Sequence, residues 1–199
     1  MLRKKTLLFF VLRVIVIYGF FSVPFSFYDD AYGKFYRKVA VVFFKKFRDK
    51  GLVVFRETKD PCKTWVDIGS YAIVNPDGTL NTAAIKINTR NLGYFPTILL
   101  ISLVLASPVP FKRRLIALIT GLILVTLLII FKQWIALLWL CEQNSWLHLT
   151  NFTGTGKKLL IFFNSFISVS AGTVLYFVFV IWVIVTFRRE DFPIRKSAG

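Results

Sequence analysis

The chain is poor in the side chains that bind metals. It contains only two cysteines, Cys62 and Cys141, and a single histidine, His148. Cys-x-x-Cys pairs and His-rich spacings, which are typical of metal sites, are therefore absent. Paired carboxylates, Rossmann glycines and a nucleotide-binding phosphate loop are missing as well. These absences predict a protein that uses neither a metal nor another cofactor.

Acidic residues are also scarce. Ten Asp and Glu stand against 26 Lys and Arg, which gives a formal net charge of +16. Such a charge is common in nucleic-acid-binding proteins, but no recognition motif accompanies it here. The basic residues instead cluster at the ends of apolar runs and in one loop, as they do beside membrane segments. We therefore predict membrane lipid as a partner, and no nucleic acid.

Apolar residues, in contrast, make up 56% of the chain. Several apolar runs approach the roughly 20 residues that a helix needs to cross a bilayer. The sequence predicts an integral membrane protein whose four transmembrane helices lie within residues 6–27, 93–110, 115–131 and 166–187.

The order of these segments predicts a mainly α-helical fold with four regions. Residues 1–28 form the first transmembrane helix, and residues 29–50 form a basic amphipathic helix that lies in the membrane surface. Residues 51–92 form a small extracytoplasmic antiparallel β-sheet. Residues 93–199 complete a four-helix transmembrane bundle, with an outer loop over residues 141–165 and a cytoplasmic tail.

The β-rich insert is predicted from three short runs, over residues 52–55, 65–74 and 83–87. The sequence Asn-Pro-Asp-Gly at residues 75–78 is a strong turn signal between the last two. Isoleucines at positions 85 and 87 alternate with Lys86 and Asn88, which indicates a half-exposed strand.

Basic residues set the predicted topology. The N-terminus, the basic turn 112–114 and the C-terminal tail lie in the cytoplasm of an inner-membrane, multi-pass protein. The rise from Arg114 to Lys132 is roughly 27 Å at 1.5 Å per residue, so Lys132 falls near the outer boundary. Both cysteines then lie outside, where a disulfide and two unpaired thiols are equally compatible with the sequence.

Polar residues gather at the outer ends of the predicted helices, and they form the candidate binding site. Arg90 and Lys132 are positive, and a low dielectric strengthens their attraction for a carboxylate or phosphate. Anchoring of helix ends in lipid headgroups is the alternative interpretation. The candidate residues are Asn88, Thr89, Arg90, Asn91, Lys132, Gln133 and His148.

Two further interpretations stay open. Thr89 as nucleophile and His148 as base would make the protein an enzyme, although a threonine hydroxyl reacts poorly without a strong neighbouring base. A structural subunit of a larger membrane complex would dock through the outer sheet and Trp65. We favour a protein without catalytic activity, and Thr89 and His148 are the only catalytic candidates.

The layout from about residue 88 to residue 187 resembles the exosortase and archaeosortase family, membrane transpeptidase-like proteins that process C-terminal sorting tails. In that family a cysteine motif opens a helix, a basic turn follows, and the next helix ends in an arginine before a loop histidine. The corresponding positions here are residues 88–91, 112–114, 132–133 and His148.

In this chain Thr89 or Asn88 stands at the family's cysteine and Lys132 at its arginine. A hydroxyl has a far higher pKa than a thiol and is a poorer nucleophile. The resemblance therefore implies a non-catalytic, exosortase-associated protein that serves surface-protein sorting or exopolysaccharide export. Its partners would be other membrane or envelope proteins, and its anion a peptide C-terminus or a lipid phosphate.

Overall fold

A computed structural model describes residues 4–23, 26–47, 50–75, 77–150, 152–168 and 171–187. This part of the chain is mainly α-helical with one four-stranded antiparallel sheet, which confirms the predicted combination of helices and a small sheet. The helices are α1 Lys4–Ser22, α2 Ser26–Phe44, α3 Phe95–Ala106, α4 Phe111–Gln143, α5 Thr155–Ser168 and α6 Ala171–Thr186.

The sheet contains strands β1 Lys46–Phe47, β2 Gly51–Glu57, β3 Lys63–Val74 and β4 Leu80–Asn88, paired in sequence order. The three predicted runs lie inside β2, β3 and β4, whereas the two-residue strand β1 was not predicted.

The turn between β3 and β4 forms where the sequence indicates it. The Asn75 N–H donates to the Thr79 carbonyl at 2.8 Å, and Gly78 has a φ of +79°, a conformation that glycine adopts without strain. Pro76 of this predicted turn lies outside the described residues.

Helix α2 packs on the sheet. Tyr36, Ala40 and Phe44 recur every four residues along α2, so they share one face, and all three are buried. They belong to the same core as Val66 and Ile68 of β3, which are fully buried. The helix predicted over residues 29–50 is thus present, but it ends at Phe44, because β1 pairing begins at Lys46.

Helix α3 lies at the centre of the helical part, in contact with α1, α4 and α6. Leu100, Leu103 and Val104 are at most 2% exposed, as expected for a helix that is apolar on all sides. Gly121 of α4 permits a close approach, because a Cβ there would lie 2.9 Å from the Leu100 side chain.

The C-terminal third differs from the prediction. Helix α4 continues past residue 131 to Gln143, and α5 begins at Thr155, inside the segment predicted as an outer loop over 141–165. The lysines at positions 157 and 158 indicated a loop, but helix formation buries Leu160 in the core while keeping both lysines exposed. Helices α5 and α6 replace the single helix predicted over 166–187, and residues 169–170 lie outside the described part.

Among the described residues, α4 is the one helix both long and apolar enough to cross a membrane. Its 33 residues extend roughly 50 Å at 1.5 Å per residue. Three shorter apolar helices accompany it, over Thr6–Ser22, Arg90–Ala106 and Gly172–Thr186.

Candidate functional site

Strand β4 runs directly into a helical segment, and residues 88–91 at this junction are four of the seven predicted binding residues. β4 ends at Asn88, a π-helical turn covers Arg90–Tyr94, and α3 follows at Phe95. The Asn88 side-chain oxygen accepts a hydrogen bond from the Asn91 N–H at 3.1 Å, and so satisfies a donor that the first turn leaves free. This bond fixes Asn88 and Asn91 next to each other.

Thr89 connects this segment to the loop before β3. Its N–H and its hydroxyl both donate to the Cys62 carbonyl, at 2.8 and 3.0 Å. The residue is 1% exposed. The hydroxyl hydrogen is therefore already used in a hydrogen bond to the backbone. Thr89 thus has a structural position, in which it fixes the start of the π-helical turn to the loop at Cys62.

Arg90 binds within the protein. Its Nε lies 3.6 Å from the Asp29 carboxylate of α2, and a terminal nitrogen donates to the Ser22 carbonyl of α1 at 2.9 Å. The guanidinium also lies 5.0 Å from the centre of the Phe95 ring. Arg90 thus joins α1, α2 and the start of α3, and its charge is largely compensated by the buried Asp29.

The thiol of Cys62 lies beside the same carboxylate. Burial, together with the negative charges of Asp29 and Asp60, raises the pKa of Cys62 to about 11. A thiol with that pKa is almost entirely protonated at neutral pH and is therefore a weak nucleophile. Cys62 and Cys141 form no disulfide, so of the two alternatives that the sequence left open, the structure has two thiols.

Four of the predicted binding residues line one open cleft of about 230 Å³ between β4, the π-helical turn and α4. We call it the basic cleft. Its polar residues are Lys86, Asn88, Asn91, Lys132 and Gln133, and its apolar ones are Ile87, Leu92 and Ala136. Lys86 was not among the predicted site residues, although the alternation along β4 places it on the same strand face as Asn88.

Gln133 is the buried polar group of the basic cleft. It is 1% exposed, and its carbonyl oxygen accepts a hydrogen bond from the Tyr36 hydroxyl at 3.0 Å. Burial raises the pKa of Tyr36 far above its ordinary value, so the hydroxyl stays a neutral donor. The Gln133 Nε2 has no hydrogen-bond partner in the described part of the chain. A buried donor without a partner is unfavourable, and a ligand oxygen would satisfy it.

No acidic side chain in the described part of the chain forms an ion pair with either lysine of the basic cleft. Lys132 is half-buried and forms no ion pair with any residue that the structure describes. The Lys86 ammonium lies 5.7 Å from the centre of the Trp65 ring. The described lining residues include no Asp or Glu, so the cleft combines two cations, two Asn amides and the amide of Gln133. This set of groups favours an anion with several acceptor oxygens.

The remaining predicted residues lie elsewhere. Thr89, Arg90 and His148 are not among the residues that line the basic cleft. His148 is exposed, has a φ of 50° and follows the short 3₁₀ turn Ser145–Leu147. Within the described ranges, no group of three His, Cys, Asp or Glu side chains is arranged to hold a metal ion.

Comparison of the chain with protein-family models, with curated proteins and with solved structures finds no match. The basic cleft, and not a relationship to a characterised protein, is therefore the observation from which a function is argued.

Proposed function

We propose that this protein is a non-catalytic, exosortase-like membrane protein whose basic cleft opens at the outer membrane face and binds an anionic group. It would act as an accessory or binding subunit in surface-protein sorting or exopolysaccharide export. Its location would be the inner membrane, together with other membrane or envelope proteins. The family assignment in this proposal rests on the sequence positions of residues 88–91, 112–114, 132–133 and His148. In the structure α4 continues past Lys132 to Gln143, so Lys132 does not end the helix as the arginine of that family does.

Exposed apolar side chains support the membrane location. Only 22% of the most apolar 18-residue window of α4 is buried inside the protein, whereas the core helix of a soluble protein is mostly buried. Large apolar residues are exposed along the helix at Ile116, Ile119, Ile123, Leu127 and Phe131. These positions recur every three or four residues, so they form one stripe that lipid would cover.

Helix α2 supports an interfacial position. Its buried face packs on the sheet, and outside that face it exposes Phe35, Val42 and Phe43, with Val42 79% exposed. Basic residues at positions 34, 37 and 38 lie on the same helix. An exposed apolar strip flanked by lysine and arginine is typical of helices that bind the surface of anionic membranes.

In the proposed topology α1, α3, α4 and α6 cross the bilayer, with both termini in the cytoplasm. The turn between α3 and α4 contains the basic residues 112–114, which favour the cytoplasmic side. Arg114 donates to the Ser107 and Val109 carbonyls at 3.0 and 3.2 Å and so stabilises this turn. The sheet and the basic cleft then lie at the opposite, outer end of α4.

The observation that carries the binding proposal is the presence in one cleft of Lys132 and of Gln133, whose Nε2 has no hydrogen-bond partner among the described residues. Lys132 supplies charge and has no counterion among the residues that the structure describes, and Gln133 supplies a buried donor. Charge-assisted hydrogen bonds contribute about 1.5–3 kcal/mol each, so loss of Lys132 should weaken anion binding about 10- to 150-fold.

Isothermal titration of the detergent-solubilised protein with inorganic phosphate tests this proposal. We expect saturable binding that Lys132→Gln weakens at least tenfold, because the cleft loses its half-buried cation. Lys112→Gln is the matched control, since it removes the same charge from an exposed position at the other end of α4. Equal phosphate affinity in Lys132→Gln and the unmodified protein would contradict the proposal.

A further inference from the structure

A second, apolar cavity lies on the other side of Lys132. It has a volume of about 150 Å³ and lies between α4, α5 and α6. We call it the apolar groove. Apart from Lys132 and Thr173, its lining is entirely hydrophobic: Leu128, Phe131, Phe163, Phe166, Val174 and Phe177.

Aromatic contacts build the walls of the apolar groove. The Phe131 and Phe163 rings, from α4 and α5, have centroids 6.3 Å apart in an edge-on arrangement. Phe166 and Phe177, from α5 and α6, are also 6.3 Å apart and edge-on. These pairs hold the three helices around a space that contains no side chain of their own.

The apolar groove continues along α6. A further cavity of about 390 Å³ shares Phe166, Thr173 and Phe177 with it and extends to Tyr176 and Val180. From residue 173 to residue 180 the rise along a helix is roughly 10 Å at 1.5 Å per residue. The two cavities therefore form an elongated apolar surface that begins at Lys132.

Among the described residues, Lys132 is the one that lines both the basic cleft and the apolar groove. Its ammonium can form an ion pair with an anionic group in the basic cleft, while its methylene stem lines the apolar groove. A ligand that satisfies both spaces has a negatively charged head with several oxygens and a hydrocarbon tail. A peptide carboxyl terminus would satisfy the cleft, but its polar backbone would be left without hydrogen-bond partners among phenylalanine rings.

We propose that the site binds an anionic lipid, with its phosphate in the basic cleft at Lys132 and its acyl chain in the apolar groove between α4, α5 and α6. This inference rests on the proposed function and specifies its ligand. Phosphate oxygens would accept hydrogen bonds from the Lys132 ammonium and the free Gln133 Nε2, and Lys86 would add charge at the open side. The tail would cover apolar surface that the described part of the protein leaves uncovered.

The test is a chain-length series measured by native mass spectrometry of the full-length protein in detergent. The probes are inorganic phosphate and butyl, octyl and dodecyl phosphate, because the series keeps the anionic head and changes only the tail. We expect affinity to rise with chain length and dodecyl phosphate to bind at least tenfold more tightly than inorganic phosphate. Lys132→Gln should weaken binding of dodecyl phosphate about tenfold.

A polar substitution in the apolar groove distinguishes binding of the acyl tail from binding of the phosphate head. Phe166→Gln should weaken dodecyl phosphate binding several-fold and leave inorganic phosphate binding unchanged. Phe179→Gln is the matched control, because Phe179 is similarly exposed on α6 but lines neither cavity. The thermal unfolding of each variant confirms folding, and the chain-length series on the unmodified protein stays decisive if Phe166→Gln fails to fold.

The outcomes distinguish the two proposals. Phosphate binding that depends on Lys132 but not on chain length would overturn the lipid inference and leave the anion-binding proposal standing. Tighter binding of a peptide with a free carboxyl terminus than of dodecyl phosphate would also overturn it. No binding of any probe would overturn both.

Discussion

The hydrogen bond from the Tyr36 hydroxyl to the Gln133 carbonyl oxygen joins α2 to α4 beside the basic cleft. Both side chains are buried, so water cannot replace the hydrogen bond if either partner is removed. Tyr36→Phe should lower the free energy of unfolding by about 1–3 kcal/mol, because the Gln133 oxygen loses its donor. Equilibrium unfolding in mixed detergent micelles measures this change.

The double variant Tyr36→Phe with Gln133→Met is the control for that prediction. Replacing both polar groups by apolar ones of similar shape removes the unsatisfied atoms, so its destabilisation should be smaller than the sum of the two single variants. Additive effects would show that the two side chains do not interact as the structure places them.

Arg90 allows a second prediction at the scale of a residue. Arg90→Ala leaves the 7%-exposed Asp29 side chain without its cation, which should lower the free energy of unfolding by about 3–5 kcal/mol. Adding Asp29→Asn should restore much of this loss. Glu57→Gln is the control, because the Glu57 side chain paired with Arg37 is 71% exposed and should contribute little.

The same pair of variants distinguishes the structural position of Arg90 from the binding role predicted for it. Because Arg90 does not line the basic cleft, the double variant Arg90→Ala, Asp29→Asn should bind inorganic phosphate with unchanged affinity. A tenfold loss of phosphate affinity in a folded double variant would mean that Arg90 takes part in binding.

At the scale of elements, the approach of α2 to the π-helical turn depends on Gly93. A Cβ at this position would lie 2.1 Å from the Tyr32 hydroxyl oxygen, so Gly93→Ala must displace that side chain. Overpacking of this kind lowers the free energy of unfolding by about 1–3 kcal/mol. Thermal unfolding of the detergent-solubilised protein measures the effect.

Two variants serve as controls for the Gly93 prediction. In a Tyr32→Phe background the closest oxygen is removed, and Gly93→Ala should then destabilise the protein less. Gly19→Ala, in α1, meets no atom within 4 Å and should be neutral or slightly stabilising, because alanine has the higher helix propensity. Equal destabilisation at both glycines would contradict the close packing of α2 on this turn.

Local patterns in the sequence predict the elements with strong signals. The turn at residues 75–78 and the alternation before Asn88 placed β3 and β4, because turn chemistry and period-two burial act over a few residues. Strand β1 was missed because two residues are too few to show a period-two pattern, and helix α5 was missed because its formation depends on a distant contact. β1 consists of two residues paired with β2, and α5 is stabilised where Leu160 enters the core.

The candidate site was predictable to a similar degree. Helix spacing put Lys132 and Gln133 near the level of Asn88 and Asn91, and the structure brings these four residues into one cleft. The spacing of residues along a helix predicts how far each one lies along the helix axis. It does not predict the direction in which a side chain points around that axis. It therefore could not separate Arg90, which turns to Asp29 and Ser22, from the residues beside it.

At the scale of the whole molecule, one hydrophobic core includes residues from the sheet and from the helices. Val66 and Ile68 of β3 belong to the same cluster as Leu100 of α3 and Val125 of α4. The sheet is therefore fixed against the helices and is not a separately tethered domain. A ligand in the basic cleft would contact both parts, since β4 supplies Lys86 and Asn88 while α4 supplies Lys132.

This rigid connection makes the proposed membrane orientation testable with two introduced cysteines. Asn81 is exposed on β4 of the sheet, and Lys112 is exposed at the opposite end of α4. If α4 crosses the bilayer with its basic start inside, Asn81→Cys should react with a membrane-impermeant maleimide in right-side-out vesicles, and Lys112→Cys only after permeabilisation.

The native thiols give a low background, because Cys141 is buried and the pKa of Cys62 is raised to about 11. The unmodified protein measures that background. Labelling of both introduced cysteines in sealed vesicles would place the two ends of α4 on one side of the membrane, and the basic cleft could then not be an outward-facing site at the far end of a membrane-spanning helix.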